Sequence, residues 1–358
     1  MSDPIWLRKA EQLDLAQRMS DEVSGAAGWS DIHLIHQALP SIDADMIDIS
    51  TVLLGRQLAF PLVIAGMTGG HAGAVEVNRL LASSAEKVGV AIGVGSQRAA
   101  LEHPELTKSY AIVREEAPTA FVVGNIGISQ LISYFDEGLI DRQVGALIEM
   151  IGADALAVHL NYLEEVVQPE GQTRARGALN ALAAFVTASP VPVLAKETGG
   201  GLSVEVARTL RDIGVSVLDV GGRGGTSFAA IEAERSRTRG DHQRSELGAA
   251  LATWGIPTAV SVRACSDVLP TLAVGGVRTG VDAAKAIALG AVAVGVGRPL
   301  MMCAVQGEDA VLDWLNGFQL QLRSAMFLAG AHEVMDLAST SPVVLGATSD
   351  WFRQLGLS

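Results

Sequence analysis

The sequence is poor in cysteine, aromatic residues, basic residues and long apolar runs. Two cysteines, Cys265 and Cys303, are too few for a disulfide framework or a cysteine-rich zinc site, and such low cysteine usage is typical of a reducing cytoplasm. Lysine and arginine number 26 against 39 acidic residues, and the net charge of −13 opposes both nucleic acid and an anionic membrane surface. No run reaches the roughly 18 apolar residues that span a bilayer, and no basic-then-apolar leader opens the chain. We therefore expect a cytoplasmic protein that has no nucleic-acid partner and no stable membrane insertion.

The apolar residues that are present are mostly small and aliphatic, as in buried parallel strands covered by helices. Eight short apolar runs end in glycine or a polar residue, at positions 61–66, 90–95, 121–127, 155–161, 191–197, 217–222, 271–277 and 291–297. Alanine-rich amphipathic segments lie between them, for example at 73–87, 141–151, 203–213 and 280–289. Eight strand–helix units predict a (β/α)8 TIM barrel.

The predicted barrel occupies about residues 59–300 of a single domain, 1–358. An N-terminal extension, 1–58, and a C-terminal helical extension, 301–358, pack on it, because no Pro/Ser-rich linker separates either. A doubly wound fold is disfavoured because Met67-Thr68-Gly69-Gly70, and not a GxGxxG motif, follows the first strand. One long connection, 223–258, contains the charged run 232–246. This connection predicts either a lid over the substrate or a solvated surface helix.

Polar groups and glycines occupy the predicted carboxyl ends of the strands, where the working residues of barrels lie. They include Met67-Thr68-Gly69-Gly70, Gly95-Ser96-Gln97-Arg98, Asn125, His159-Leu160-Asn161, Lys196-Glu197, Asp219 and Gly224-Gly225-Thr226. The last two units add 275–280 and Gly297-Arg298-Pro299, which are glycine-rich turns that lead into helices. Such turns expose backbone N–H groups to a phosphate, so they predict a phosphorylated cofactor or substrate.

Two further features leave alternatives open. Lys196 follows an apolar strand, where it can form a Schiff base or hold an electron-rich cofactor ring as a fixed cation. Glu164 and Glu165 fall on the loop that leaves the strand of His159, and on an extended segment they point apart. One of them would then serve as an acid or base while the other reaches a divalent ion, or both are solvated loop carboxylates.

In this order the motifs closely resemble the type 2, flavin-dependent isopentenyl-diphosphate isomerases. The resemblance runs from about residue 8 to the end of the chain and also includes Gln168-Pro169-Glu170-Gly171, Lys196-Glu197-Thr198-Gly199, Trp254-Gly255-Ile256-Pro257-Thr258 and Gly275-Gly276. It implies a 1,3-allylic proton shift that interconverts isopentenyl and dimethylallyl diphosphate. The implied cofactors are reduced FMN and Mg²⁺, with NADPH as reductant, and the implied assembly is a homotetramer or homo-octamer.

The resemblance also implies roles for individual residues. Those assigned to FMN are Ala65, Gly66, Met67, Thr68, Ser96, Asn125, Lys196, Thr226, Gly275, Gly276, Gly297 and Arg298. Those assigned to the diphosphate and the pocket wall are Arg8, Lys9, Arg98, His159, Asn161 and Gln168. Glu164, His159 and Asn161 would be catalytic, and Glu165 would hold the metal.

Four positions depart from the family pattern. Gln12 stands where the family has His, Phe228 where it often has Trp, and Val274 where it often has Ser. Glu164 stands where the family has a Gln that takes part in proton transfer. A carboxylate there supports either the same isomerisation or a non-redox isomerisation or cyclisation of a different or longer isoprenoid.

Two other classes compete with an isomerase. One is an FMN-dependent dehydrogenase or oxidase, which would need a base over the substrate carbon that this ring of residues does not supply. The other is a flavoprotein without catalytic activity, which would have no use for His159, Asn161 and Glu165.

Overall fold

A computed structural model describes residues 25–357 together with Glu11, Leu15 and Arg18. Its strands are β1 (Ile32–His33), β2 (Thr51–Leu53), β3 (Arg56–Leu58), β4 (Leu62–Ile64), β5 (Ala91–Gly93), β6 (Val122–Gly127), β7 (Ala155–Leu160), β8 (Val193–Glu197), β9 (Val217–Asp219), β10 (Thr271–Val274), β11 (Ala293–Val296) and β12 (Val343–Val344). Strands β4 to β11 are parallel, each pairs with its neighbour in sequence, and β11 pairs with β4 to close the barrel. This confirms the predicted (β/α)8 barrel and all eight of its strands.

Several strands are shorter than the apolar runs that predict them. The tenth strand ends at Val274 because Gly275 and Gly276 take φ values of 123° and 67°, which break the ladder. These φ values direct the chain into the loop above the barrel. The turn therefore begins three residues before the apolar run ends.

Helices fill the connections. They are α1 (Ala72–Val88), α2 (Arg98–Glu102), α3 (Lys108–Glu116), α4 (Ile128–Asp136), α5 (Ile140–Ile151), α6 (Tyr162–Val167), α7 (Ala178–Ala188), α8 (Val204–Asp212), α9 (Phe228–Thr238), α10 (His242–Leu251), α11 (Thr258–Ser266), α12 (Gly280–Ala288), α13 (Arg298–Gln306), α14 (Glu308–Ala329) and α15 (Gly346–Leu355). Short 3₁₀ helices lie at Trp29–Asp31, Ala44–Met46, Pro104–Leu106 and Val334–Ser339. No helix among the described residues is long and apolar enough to cross a membrane.

The amino-terminal end of the barrel is closed by the hairpin of β2 and β3. Leu53 and Leu58 are both at most 3% exposed and pack in one cluster with Val63, Phe121 and other inward-facing strand residues. On the outside, β1 pairs antiparallel with β12, so the segments before and after the barrel meet. Closure of this end leaves the opposite, carboxyl end of the strands for a binding site.

Candidate active site

The predicted site residues meet in one cavity of about 590 Å³ at the carboxyl ends of the barrel strands. It is lined by every described residue to which the resemblance assigns a role: Ala65, Gly66, Met67, Thr68, Ser96, Arg98, Asn125, His159, Asn161, Glu164, Glu165, Gln168, Lys196, Thr226, Gly275, Gly276, Gly297 and Arg298. Asp219 and Gln97, which the strand-end pattern also picks out, do not line it. Arg8, Lys9 and Gln12 lie outside the described residues. The strands bring together residues that are as much as 233 positions apart, from Ala65 to Arg298.

His159, near the end of β7, is oriented by Asn125 on β6. The Asn125 Nδ2 atom donates to the Val94 carbonyl at 3.1 Å, which turns its Oδ1 atom towards the imidazole. His159 Nδ1 lies 2.9 Å from that Oδ1, so Nδ1 carries the hydrogen. The imidazole is therefore held with its Nδ1–H group facing Asn125 and its Nε2 atom at the opposite edge of the ring.

Glu164 and Glu165 do not lie on an extended segment, and the prediction that they point apart on a loop is wrong. They occupy the first turn of α6, and the Asn161 Nδ2 atom donates to both, at 3.3 Å to Glu164 and 3.1 Å to Glu165. Gln168 Nε2 donates to the other oxygen of Glu164 at 3.1 Å. The helical turn thus directs both carboxylates towards the buried side-chain amide of Asn161.

The long connection 223–258 folds into the hairpin of α9 and α10, which packs against α6. Its charged run is not a solvated face throughout, because Glu232 and Arg235 are at most 1% exposed. Glu234 and Arg237 of the same helix pair with each other on the surface. One face of α9 therefore carries buried charge behind the cavity.

Lys196 lies at the end of β8 between two acidic residues. Its Nζ is 3.8 Å from Asp219 Oδ2, and both side chains are at most 15% exposed. Burial raises the pKa of Asp219 despite the Lys196 charge. Burial also raises the pKa of Glu197 to about 7, against the opposing effect of hydrogen bonds from Gly200, Gly199 and Thr198.

The last two loops form a glycine cradle. A Cβ on Gly275 would lie 2.4 Å from the Gly222 carbonyl oxygen, and one on Gly276 would lie 2.5 Å from that of Gly224, so these backbones pack too closely for a side chain. A capping box of Thr279 and Asp282 begins α12 after this turn. Since α13 begins directly after Gly297, two helix N-termini stand at this side of the cavity. Glycine backbone next to helix N-termini can offer N–H groups to a phosphate, so this cradle fits the phosphate group of FMN.

The chain is similar to known proteins over nearly its whole length. The chain is 45% identical over 98% of its length to an isopentenyl-diphosphate delta-isomerase of Methanothermobacter thermautotrophicus, covering 96% of that protein. It is 45% identical over 98% of its length to the enzyme of the same name from Methanococcoides burtonii, covering 95% of it. The FMN-dependent dehydrogenase family matches residues 149–343, which is more than half of the chain.

The chain belongs to the FMN-dependent isopentenyl-diphosphate delta-isomerase family. It is an isomerase, so of the classes that the sequence leaves open, neither the oxidase nor the flavoprotein without activity is supported. Solved structures agree on the fold. A Pediococcus acidilactici lactate oxidase has a TM-score of 0.67 at 17% identity, covering 96% of both chains, and a mandelate oxidase variant has a TM-score of 0.61 at 21% identity, covering 92% of this chain and 93% of that one.

Sequence reasoning missed several residues that line the cavity of this isomerase. They are Gln130, Met301, Met302 and Trp314. Glu197, Phe228 and Arg278 also line it; they stand in motifs that the sequence singles out, but the sequence assigns them no individual role. Arg278 lies in the glycine-rich turn and carries the positive charge that a phosphate loop favours. Trp314 comes from α14, beyond the barrel, so no strand-end pattern points to it.

The metal that the resemblance implies would need oxygen ligands in this cavity. Among the described residues there is no group of three His, Cys, Asp or Glu side chains that could hold a metal ion. Mg²⁺ is commonly held by one or two carboxylates together with water and substrate phosphates. Glu165 lines the cavity and its Oε2 accepts from the Gln172 backbone at 2.6 Å, so this donor set fits a metal that arrives with a diphosphate.

Proposed function

We propose that this chain interconverts isopentenyl diphosphate and dimethylallyl diphosphate with reduced FMN and Mg²⁺. The observation that carries the proposal is the convergence of the predicted flavin, diphosphate and acid–base residues in one cavity. The relatives of the same name and the FMN-dependent family support it. A proton is added at the terminal methylene carbon and another is lost from the allylic carbon, so the net charge and redox state do not change.

FMN supplies the proton exchange at the substrate when it is bound in its reduced form. Glu165 would hold Mg²⁺, which would neutralise charge on the diphosphate. Residues of the glycine cradle, with Thr68, Ser96, Asn125, Thr226 and Arg298, would bind the cofactor, and Lys196 would act as a fixed cation beside its ring.

The substrate would be held by polar groups on the facing wall. Arg98, His159, Asn161 and Gln168 line that wall, and Arg8 and Lys9 would join them. Glu164 would assist the proton transfer. Its two oxygens accept hydrogen bonds from Asn161 and Gln168, which orient the carboxylate, and each oxygen has a second lone pair that can take up a proton.

Incorporation of solvent hydrogen tests the reaction. With isopentenyl diphosphate, Mg²⁺ and reduced FMN in D₂O, we expect deuterium in both C5 diphosphates by NMR, and none when FMN is kept oxidised. Absence of exchange under reducing conditions contradicts the proposal.

A second candidate rests on Glu164, whose carboxylate lines the cavity where the family has an amide. Reduced enzyme would then isomerise or cyclise a longer prenyl diphosphate. Parallel incubations with C5, C10, C15 and C20 diphosphates decide between them, since product from C5 alone excludes the second candidate.

The reductant and the assembly belong to the same proposal. NADPH would reduce the bound FMN, which bleaching of the flavin absorbance under anaerobic conditions measures. A homotetramer or homo-octamer would appear as the corresponding mass in sedimentation equilibrium.

A further inference from the structure

Arg235 on α9 is the largest side chain that is fully buried among the described residues. Its guanidinium contacts three carboxylates from three separate segments of the chain. Nε donates to Glu11 at 2.9 Å, Nη2 to Glu170 at 2.6 Å and Nη1 to Glu232 at 3.0 Å. Arg235 thus joins the N-terminal segment, the loop after α6 and its own helix.

The contacts continue from Arg235 into the cavity. The second oxygen of Glu232 lies 3.4 Å from Gln168 Nε2, and the same Nε2 donates to Glu164 at 3.1 Å. Because one amide nitrogen has two hydrogens, each can point at one of these carboxylates. The position of Glu232 therefore fixes the direction from which Gln168 holds Glu164.

The N-terminal end of the network is anchored separately. Arg239, the residue that follows α9, donates from Nη2 to Glu11 at 2.7 Å, so Glu11 is held by two arginines. In the sequence, Arg8 and Lys9 stand three and two residues before Glu11. Glu11, which follows these two residues in the sequence, is therefore held by the same guanidinium that reaches Glu164 through Glu232 and Gln168.

Stability alone does not account for this arrangement. A buried ion network generally contributes little over well-packed apolar residues, because each charge loses its hydration. The backbone of α6 already has its own tie to the hairpin, since Arg244 Nη1 donates to the carbonyls of Val167 and Gln168 at 3.2 and 2.9 Å. Beyond this tie, the ion network holds the side chains of Glu232, Gln168 and Glu164 in fixed orientations.

We propose that Arg235 is a positioning residue: it fixes Glu164 through Glu232 and Gln168, and it couples that orientation to the docking of the N-terminal segment through Glu11. The inference rests on the proposed function for the role of Glu164. It adds that substrate binding by the N-terminal segment and proton transfer at Glu164 depend on one buried guanidinium.

The test compares Arg235→Met, Arg235→Lys and Glu11→Gln with Arg237→Met as the matched control. Arg237 lies on the same helix, but its side chain is 62% exposed and pairs with Glu234 on the surface. For Arg235→Met we expect at least a tenfold loss of kcat and at least a fivefold rise in KM for isopentenyl diphosphate. Glu11→Gln should raise KM by a similar factor and leave kcat within twofold, and Arg235→Lys should recover part of the kcat.

Coupling is measured by combining Glu11→Gln with Arg235→Met. The double variant should have a KM no higher than that of Arg235→Met, because both changes break the same tie. Additive KM effects, or kinetics of Arg235→Met that equal those of Arg237→Met, overturn the proposal.

Hydrogen exchange separates this proposal from the proposed function. If the wild type does not act on isopentenyl diphosphate, faster exchange in peptides from 1–24 and 162–172 of Arg235→Met, but not of Arg237→Met, still supports the coupling. Unchanged exchange in both regions overturns it. Should Arg235→Met fail to fold, Arg235→Lys gives both readings in milder form, and Glu11→Gln gives the reading for KM alone.

Discussion

At the scale of single residues, the side chain of Asn161 sets the chemistry of the wall opposite the cradle. Its Nδ2 atom donates to Glu164 and Glu165, while its buried Oδ1 atom has no hydrogen-bond partner among the described residues. An amide at position 164 would present an N–H₂ group to one of its two neighbouring amides. Rotation of Asn161 would restore a hydrogen bond through Oδ1 but would turn Nδ2 away from Glu165. The identity of residue 164 therefore affects both the proposed proton carrier and Glu165, the proposed metal ligand.

Glu164→Gln should lower kcat by about tenfold to a hundredfold, because general acid–base groups contribute at least that much and an amide cannot take up the proton. The Mg²⁺ concentration for half-maximal rate should also rise, since the variant disturbs Glu165. Initial rates with reduced FMN over a Mg²⁺ series measure both effects. Glu165→Gln is the matched control and should change mainly the Mg²⁺ dependence. A variant that turns over as fast as the wild type, or faster, shows that Glu164 does not carry the proton.

Lys196→Met should weaken binding of reduced FMN at least tenfold, because the Lys196 charge favours an electron-rich ring and the variant leaves Asp219 buried without its cation. Oxidised FMN, which has less charge to stabilise, should lose less affinity. Anaerobic titrations followed by flavin absorbance and fluorescence give the two dissociation constants. Lys87→Met, which removes a half-exposed surface pair with Glu308, should change neither. Equal losses for both redox states would assign Lys196 a packing role only.

At the scale of elements, the sequence predicts regular units well and short or charged ones poorly. All eight strands follow from continuous apolar runs, because both faces of a parallel sheet are covered. Helix α6 has six residues, too few to show a period, and it is stabilised by packing against α9 and α10. The inward face of α9 carries Glu232 and Arg235, which are buried. A sequence analysis that assigns charged residues to the surface cannot predict this buried face. The sequence pattern does not predict these two features because tertiary contacts determine them.

The loop after β8 illustrates an element held by one carboxylate. Glu197 Oε2 accepts from the backbone N–H groups of Thr198, Gly199 and Gly200, and the Gly200 carbonyl accepts from Ile256 at 2.9 Å. This links the end of β8 to the end of the 223–258 connection. Because this loop lines the cavity, the hydrogen bonds to Glu197 help to fix the shape of the site.

The raised pKa of Glu197 predicts a pH dependence of stability. Its folded-state pKa is about 7 against an ordinary 4.5, so the folded state binds the proton more tightly, and this contribution is present below about pH 4.5 and is lost as pH rises through 7. Glu197→Gln should remove a decline on the order of 3 kcal/mol in the free energy of unfolding between these values. Urea titrations at half-unit pH intervals measure it.

Glu76→Gln is the control for Glu197→Gln. The hydrogen bond from Arg79 lowers the pKa of Glu76, so this group titrates below the window and its variant should keep the wild-type slope. A Glu197→Gln slope equal to that of the wild type would mean that Glu197 stays ionised in the folded protein.

At the scale of the whole molecule, the net charge of the chain is opposite in sign to the basic groups that the barrel places around the cavity for an anionic ligand. The net charge of −13 is spread over the chain, whereas Arg98, Lys196, Arg278 and Arg298 line one cavity. Surface charge is screened beyond roughly 10 Å at 0.1 M salt, so a few cations at short range suffice for an anionic ligand. Composition predicts that nucleic acid is not a partner, but it could not locate this ring of cations. Its location follows from the barrel, which places the carboxyl ends of all eight strands on one side.

The hairpin of β2 and β3 raises a question about folding at the same scale. It belongs to the segment before the barrel, yet Leu58 is 2% exposed inside the barrel end. If the extensions and the barrel form one domain, as the sequence predicts, Leu58→Ala should destabilise the whole chain in one transition, by about 2–4 kcal/mol for a buried leucine. Val52→Ala, on the same hairpin but 57% exposed, should cost less than about 0.5 kcal/mol. Urea unfolding followed by far-ultraviolet circular dichroism and by tryptophan fluorescence measures both variants. Two separate transitions, with the Leu58→Ala effect confined to one, would mean that the extension folds as its own unit.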